Sequence, residues 1–195
     1  VCVCVCVCVC VCVCVCVYGP VCLPCSLRLC MYLFLTIHFS GLCAGKNVVL
    51  TDLQEVSIRL EGSCQALHMF SLVRCILWTG PIAGSVYMES CEDSSLSICA
   101  HQIRIHDTRA CRLRFHVTSQ AIIEGCKELV VGPFVGARLE ADPQWWEASG
   151  LRQDVNLWDQ VQDFNWLVPG KPSPHWKKEE IAEEEEEGVQ DKGKG

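Results

Sequence analysis

The stretch Cys99-Ala100-His101-Gln102-Ile103-Arg104-Ile105-His106 alternates apolar and polar residues over its second half. Ile103 and Ile105 fall on one side, and Gln102, Arg104 and His106 on the other, the period-two pattern of a half-buried strand. The same parity sends His101 inward. Two residues of strand place Gln102 and Arg104 about 6–7 Å apart on the outward side. An arginine there presents a planar, permanently charged fork that matches phosphate oxygens. Offered in trans to a GTPase, such a group stabilises charge developing on the γ-phosphoryl and changes the rate by about 10³–10⁵. A glutamine beside it can orient the attacking water. On spacing alone, the simpler reading is a solvated strand face.

The strand is one of a series. Working outward, short apolar runs occur at Val56-Ile58-Leu60, Leu67-Met69, Ile76-Trp78, Val86-Met88, Leu96-Ile98, Leu113-Phe115-Val117, Ile122-Ile123 and Leu129-Val131, with turn or polar residues between them. Ile58, Ile76, Leu96, Leu113 and Leu129 recur at intervals of 18, 20, 17 and 16 residues. Leu67, Val86, Ile103 and Ile122 recur at 19, 17 and 19. A repeat of this length with several strands in it predicts an all-β solenoid, a parallel β-helix whose coils stack strand on strand. Cys75, Cys91, Cys111 and Cys126 recur at similar intervals. They read as a ladder of small buried side chains, not a metal site, because none of them forms a C-x-x-C pair. Arg112, Arg114 and His116 alternate with Leu113, Phe115 and Val117, which predicts a second basic, phosphate-seeking strip.

The ends of the chain differ from this middle. Residues 1–17 alternate Val and Cys without a break. An in-frame GT repeat (GTG-TGT) encodes that alternation. We therefore read residues 1–45 as low-complexity sequence from an over-extended gene model, with the homologous domain over 46–176. Twelve of the eighteen cysteines lie in residues 1–43. The six that remain are ordinary for reduced, buried thiols, so the cysteine count does not make this a disulfide scaffold. The apolar run 29–39 is shorter than the roughly 20 residues of a membrane span, and no membrane role is assigned. The net charge of −7 gives no support to nucleic-acid binding. Residues 140–170 carry Trp145, Trp146, Trp158, Trp166 and Phe164. They read as a Trp-rich C-terminal cap on the open end of the helix, with an aromatic or two, Trp146 among them, facing a partner. Residues 177–195, with five glutamates in a row at 183–187, read as a disordered acidic tail.

Several words of this sequence, in order, resemble the tubulin-folding cofactor C family. They are residues 80–91 (GPIAGSVYMESC), 99–111 (CAHQIRIHDTRAC), 116–126 (HVTSQAIIEGC), 145–151 (WWEASGL), 156–167 (NLWDQVQDFNWL) and 173–176 (SPHW). The resemblance implies a right-handed parallel β-helix that activates a GTPase without being a GTP hydrolase itself. GTP and Mg would be bound by the partner, and the chain would hold no cofactor or metal of its own. It implies Arg104 as the arginine finger, Gln102 as its neighbouring glutamine and Glu124 on the partner-binding side. His106, Arg114, Phe134 and Trp146 complete the expected partner-binding set. Phe134 stands where the family's F-A-P-Y word has its tyrosine. His101 and Gln120 depart from the family pattern, and Cys2 stands where a myristoylated branch needs glycine.

The function expected from this is stimulation of GTP hydrolysis by β-tubulin, among other folding cofactors, to release assembly-competent αβ-tubulin. The setting would be cytoplasmic and cytoskeleton-associated. The alternatives are an activator of an Arf-like GTPase in ciliary trafficking and a non-catalytic β-helical adaptor. A carbohydrate-active β-helix would need clustered carboxylates for acid–base work, and outward Asp and Glu are sparse on the expected strands.

Overall fold

The computed structural model describes residues 2–7, 11–18, 35–40, 45–134 and 143–180. Its elements are β1 (Cys2–Val7), β2 (Val11–Tyr18), β3 (Leu35–Ser40), β4 (Asn47–Thr51), β5 (Val56–Glu61), β6 (Ala66–Phe70), β7 (Ile76–Glu89), β8 (Ser95–His106), β9 (Arg112–Val117), β10 (Ala121–Glu124), β11 (Leu129–Pro133), α1 (Pro143–Ser149), β12 (Val161–Asp163) and β13 (Trp176–Lys178). Every pairing among β3 to β13 is parallel, the pattern of a β-helix, while β2 pairs antiparallel with β1 and β4.

The chain winds between two faces. One face stacks β3, β5, the first half of β7, the first half of β8, β9, β11 and β13. The other stacks β4, β6, the second half of β7, the second half of β8, β10 and β12. Strands β7 and β8 run through the corner between the faces, with register breaks between Trp78 and Pro81 and between Ile82 and Ser85. Glycine is required at that corner: a Cβ on Gly80 would lie 2.1 Å from the Gly62 carbonyl oxygen, and one on Gly84 2.6 Å from that of Gln65.

A turn of four or five residues closes each coil on the opposite side. Its first and fourth residues adopt the left-handed conformation: Asp52 and Glu55, Ser71 and Arg74, Ser90 and Asp93, Asp107 and Ala110, Gly125 and Glu128. That conformation costs a non-glycine residue about 1–2 kcal/mol. Coil-to-coil backbone bonds offset it, such as Glu55 N–H to Val73 O at 2.9 Å and Asp107 N–H to Glu124 O at 2.9 Å.

The inward columns form the core. Ile58, Leu77, Leu96, Leu113 and Val131 are aligned rung by rung, as are Val48, Leu67, Val86 and Ile103, and all are buried. The sequence repeat is therefore correct in kind, while its register slips at three places. Leu77, not Ile76, and Val131, not Leu129, share the column of Leu96, and Ile122 turns outward beside Arg104 while Ala121 faces in. A slip of one residue exchanges the two faces of a strand.

The four cysteines do form an internal ladder. Cys75, Cys91, Cys111 and Cys126 are buried, and each thiol lies 3.3–3.5 Å from the carbonyl two residues before it. Burial pushes the Cys91 thiol up to about 11 and that of Cys111 up to about 12.

Strand pairing extends beyond residues 46–176 at both ends. Strand β3 stacks in parallel on β5, Leu35 against Val56 through Ser40 against Glu61, so a rung of the helix precedes residue 46. Residues 177–180 belong to the fold: β13 pairs with β11, and Glu179 N–H bonds Val131 O at 2.7 Å. Residues 181–195 of the acidic tail lie outside the described residues.

Two outcomes follow. Phe115→Ala, at the largest fully buried side chain, is expected to cost about 3–5 kcal/mol in urea unfolding. Stability is expected to fall as pH rises above 9, because unfolded thiols ionise there while Cys91 and Cys111 remain protonated in the fold. A Cys91→Ala, Cys111→Ala double variant should show a shallower fall in thermal melts across pH 8–11.

Candidate functional site

Arg104 lies on the outer surface of the second half of β8, exposed between two buried inward neighbours, Ile103 and Ile105. Its cross-strand neighbours are Tyr87 on β7 and Ile122 on β10. Strands on both sides hold the backbone, so docking costs the arginine only side-chain freedom. Gln102 stands two residues before it on the same face, opposite Ser85, and His106 two residues after it, between Glu89 and Glu124.

The charges on this face are arranged around an unengaged arginine. Among the described residues, Arg59, Arg74, Arg109, Arg112, Arg114 and Arg152 all face a carboxylate. Arg104 alone of the described arginines has no hydrogen bond or ion pair to any described residue. The two nearest acids along its face are held elsewhere. Glu124 Oε2 lies 3.5 Å from His106 Nδ1, and Glu89 Oε2 accepts a 2.9 Å hydrogen bond from the Tyr87 hydroxyl. That bond, with burial and the nearby carboxylates, raises the Tyr87 pKa. The Tyr87 ring also stacks on His106, centroids 5.2 Å apart. The row Glu89, Tyr87, His106, Glu124 is thus linked by its own contacts, and neither carboxylate pairs with Arg104.

The parity that would send His101 inward breaks at the corner. Ala100 and Ile103 are both buried, and His101 is half-buried with its Nδ1 3.0 Å from Thr118 Oγ1.

The remaining expected partner-binding residues do not join this face. Arg114 lies on β9, on the other face, where Glu179 grips it through two bonds of 2.9 and 2.8 Å and also pairs with Arg112 at 3.6 Å. Gly132 makes room for this latch, since a Cβ there would meet Glu179 Oε2 at 2.2 Å. His116 is buried, with Nε2 2.8 Å from Arg152 O. The second basic strip is therefore a set of internal contacts. Trp146 is only 8% exposed and packs with Cys99, Leu151 and Phe134 as α1 lies against the coil, its ring edge-on to His116 at 5.1 Å. Trp146 and Phe134 hold α1 in place. The aromatic of that region that stays in solvent is Phe164, 50% exposed, followed by Leu167 at 80% and Val168 at 40%. Phe164 N–H bonds Ile123 O at 3.0 Å, which puts it directly after the β12 rung of the Arg104 face.

The loop after Phe164 is clamped by Asp163, a buried carboxylate. Burial opposes its ionisation, but hydrogen bonds from Ser173 (2.5 Å), His175 (2.6 Å) and the Asn165 N–H (2.9 Å) outweigh it, and its pKa is lowered. Hydrogen bonds from Arg114 likewise lower that of Glu179.

Among the described residues, no group of His, Cys, Asp and Glu is placed to hold a metal ion, and no helix is long and apolar enough to cross a membrane. A parallel β-helix with an unengaged arginine on one rigid face is the class of protein defined so far. The chain belongs to the tubulin binding cofactor C family, whose sequence pattern matches residues 45–164. It is 37% identical over 145 residues to tubulin-specific chaperone C of Homo sapiens, covering 74% of this chain and 41% of that protein. It is 33% identical over 138 residues to tubulin-folding cofactor C of Arabidopsis thaliana, covering 71% and 39%. The chain thus spans about two fifths of the length of these curated relatives. The solved structure of tubulin binding cofactor C from Leishmania major shares the fold, with a TM-score of 0.59 at 23% identity, over 71% of this chain and 90% of that one.

Glu179→Gln is expected to cost about 1 kcal/mol, a charged hydrogen-bond pair discounted for its partial exposure, read as a lower melting temperature. Asp163 and Glu179 both contribute stability above their unfolded pKa values that is lost as pH falls through the lowered folded ones. The E179Q variant should therefore lose less stability than wild type between pH 5 and pH 3.

Proposed function

We propose that this domain stimulates GTP hydrolysis by β-tubulin, acting with other folding cofactors to release assembly-competent αβ-tubulin, and that Arg104 is the group it inserts. The observation that carries this reading is the unengaged guanidinium of Arg104 on a face whose carboxylates, Glu89 and Glu124, contact Tyr87 and His106 instead. A buried or paired arginine would have to break contacts to reach a phosphate, whereas this one has none to break among the described residues. In the partner's GTP site its fork stabilises charge on the γ-phosphoryl oxygens as the bond to the leaving group lengthens. Gln102, about 6–7 Å away along the strand, is placed to orient the attacking water or the partner groups that hold it. Glu124, His106 and Phe164 flank the arginine and make the surrounding contact. The names of the relatives, all tubulin cofactors, favour tubulin over an Arf-like GTPase, and a tubulin-folding role implies a cytoplasmic setting.

The test is GTP turnover by tubulin, with the other folding cofactors present, as a function of added wild-type chain or Arg104→Ala. Arg104→Ala is expected to lower the stimulated rate by about 10³-fold with an unchanged circular dichroism spectrum. Equal stimulation by the two would overturn the finger assignment, and stimulation of an Arf-like GTPase alone would reassign the partner.

A further inference from the structure

Toward the N-terminal coils, the face that carries Arg104 opens into a recess of about 360 Å³. His68, Phe70, Ser85, Tyr87, Gln102 and Arg104 line it. Three of these are rings on adjacent strands, all half-buried. Phe70 and Tyr87 centroids are 5.7 Å apart, and His68 lies 6.2 Å from Tyr87 and 6.4 Å from Phe70. They are outward residues, since the core of the same rungs is Leu67, Met69, Val86 and Met88. Single exposed aromatics are commonplace. A contiguous wall of three beside an unengaged arginine is not required by the fold, because on the opposite face the outward positions of β5 hold an Arg59–Glu61 ion pair.

The recess is also pre-formed. Tyr87 is fixed at its hydroxyl by Glu89 and across its ring by His106, so it cannot swing to fill the space. Little side-chain entropy remains to be lost when something enters.

Its charge pattern selects the occupant. Glu89 and Glu124 lie along the same face beyond Tyr87 and His106, so among the described residues around the recess it is Arg104 that attracts an anion. The recess itself suits an uncharged, apolar group. Because Arg104 forms part of its lining, whatever brings a phosphate to Arg104 lies across the recess as well.

We infer that the recess seats an apolar side chain, aromatic or branched aliphatic, that the GTP-binding partner projects from the rim of its nucleotide site. Gln102 amide hydrogens are placed to meet a backbone carbonyl of the same partner segment. This rests on the GTPase-activating reading above and adds the contact that sets affinity, while Arg104 sets the rate. An aromatic pocket at the centre of an interface, next to the charge it must align, is where truncation costs most binding energy.

The experiment measures two quantities for the full chain against GTP-bound tubulin with the other folding cofactors: the binding affinity and the maximal stimulated turnover. Phe70→Ala and Tyr87→Ala are expected to weaken binding by about tenfold or more, with the loss falling on half-saturation and not on the maximal rate. Ser85 is exposed, so Ser85→Trp fills the recess without removing a packing group and should weaken binding similarly even if the alanine variants fold poorly. Wild-type affinity in folded Ser85→Trp, or a loss confined to the maximal rate in the alanine variants, would overturn the inference. Those results leave the Arg104→Ala outcome untouched, so the recess and the finger fail separately. A chain that binds tubulin through the recess but does not stimulate it would sink the finger alone, and one that binds no GTP-bound partner would sink both.

Discussion

The backbone ladder that joins Tyr87 to Arg104 and Arg104 to Ile122 belongs to the parallel register that carries each coil onto the next. That register is the constraint on which everything else here depends. It stacks the inward residues into continuous columns and obliges each turn to reproduce the same left-handed pair. It also fixes which side chains can be neighbours. No coil buries its apolar side alone, so the core exists only as a stack. An outward residue can be moved to another face only by a slip that would take a core residue with it.

This constraint explains how a strongly acidic chain keeps one arginine unengaged. Cross-strand partners are dictated by register, and those of Arg104 are a tyrosine and an isoleucine. The acids of the neighbouring rungs stand one column away, opposite His106. There, Tyr87 and His106 engage them. The aromatic wall that holds Glu89 is also the wall of the recess, so one arrangement leaves the cation unpaired with either carboxylate and shapes the surface beside it.

Much of this was legible in the sequence because the relevant periods are local. The alternation around Ile103 and Ile105 is enough to turn Gln102, Arg104 and His106 outward, and the cysteine spacing is enough to suggest an internal ladder. What was illegible depends on corners and on distant partners. His101 departs from parity because β8 bends between its two faces. Arg114 has the same strand pattern as Arg104, yet it lies on the other face and meets Glu179, 65 residues away. Nothing in a charge run distinguishes that glutamate from its neighbours. Composition likewise set aside residues 35–40, which pair as a rung, and counted Trp146 as a surface anchor when α1 buries it.

The proposed activity depends on where the Arg104 guanidinium goes when the domain meets its partner. The most direct measurement is a cryo-electron microscopy structure of the chain bound to tubulin, with the folding cofactors and a γ-phosphoryl transition-state mimic at the GTP site. The expected result is the guanidinium within about 3 Å of the mimic's oxygens, with β8 unmoved. A complex in which Arg104 points to solvent and another face of the helix covers the nucleotide would contradict the account.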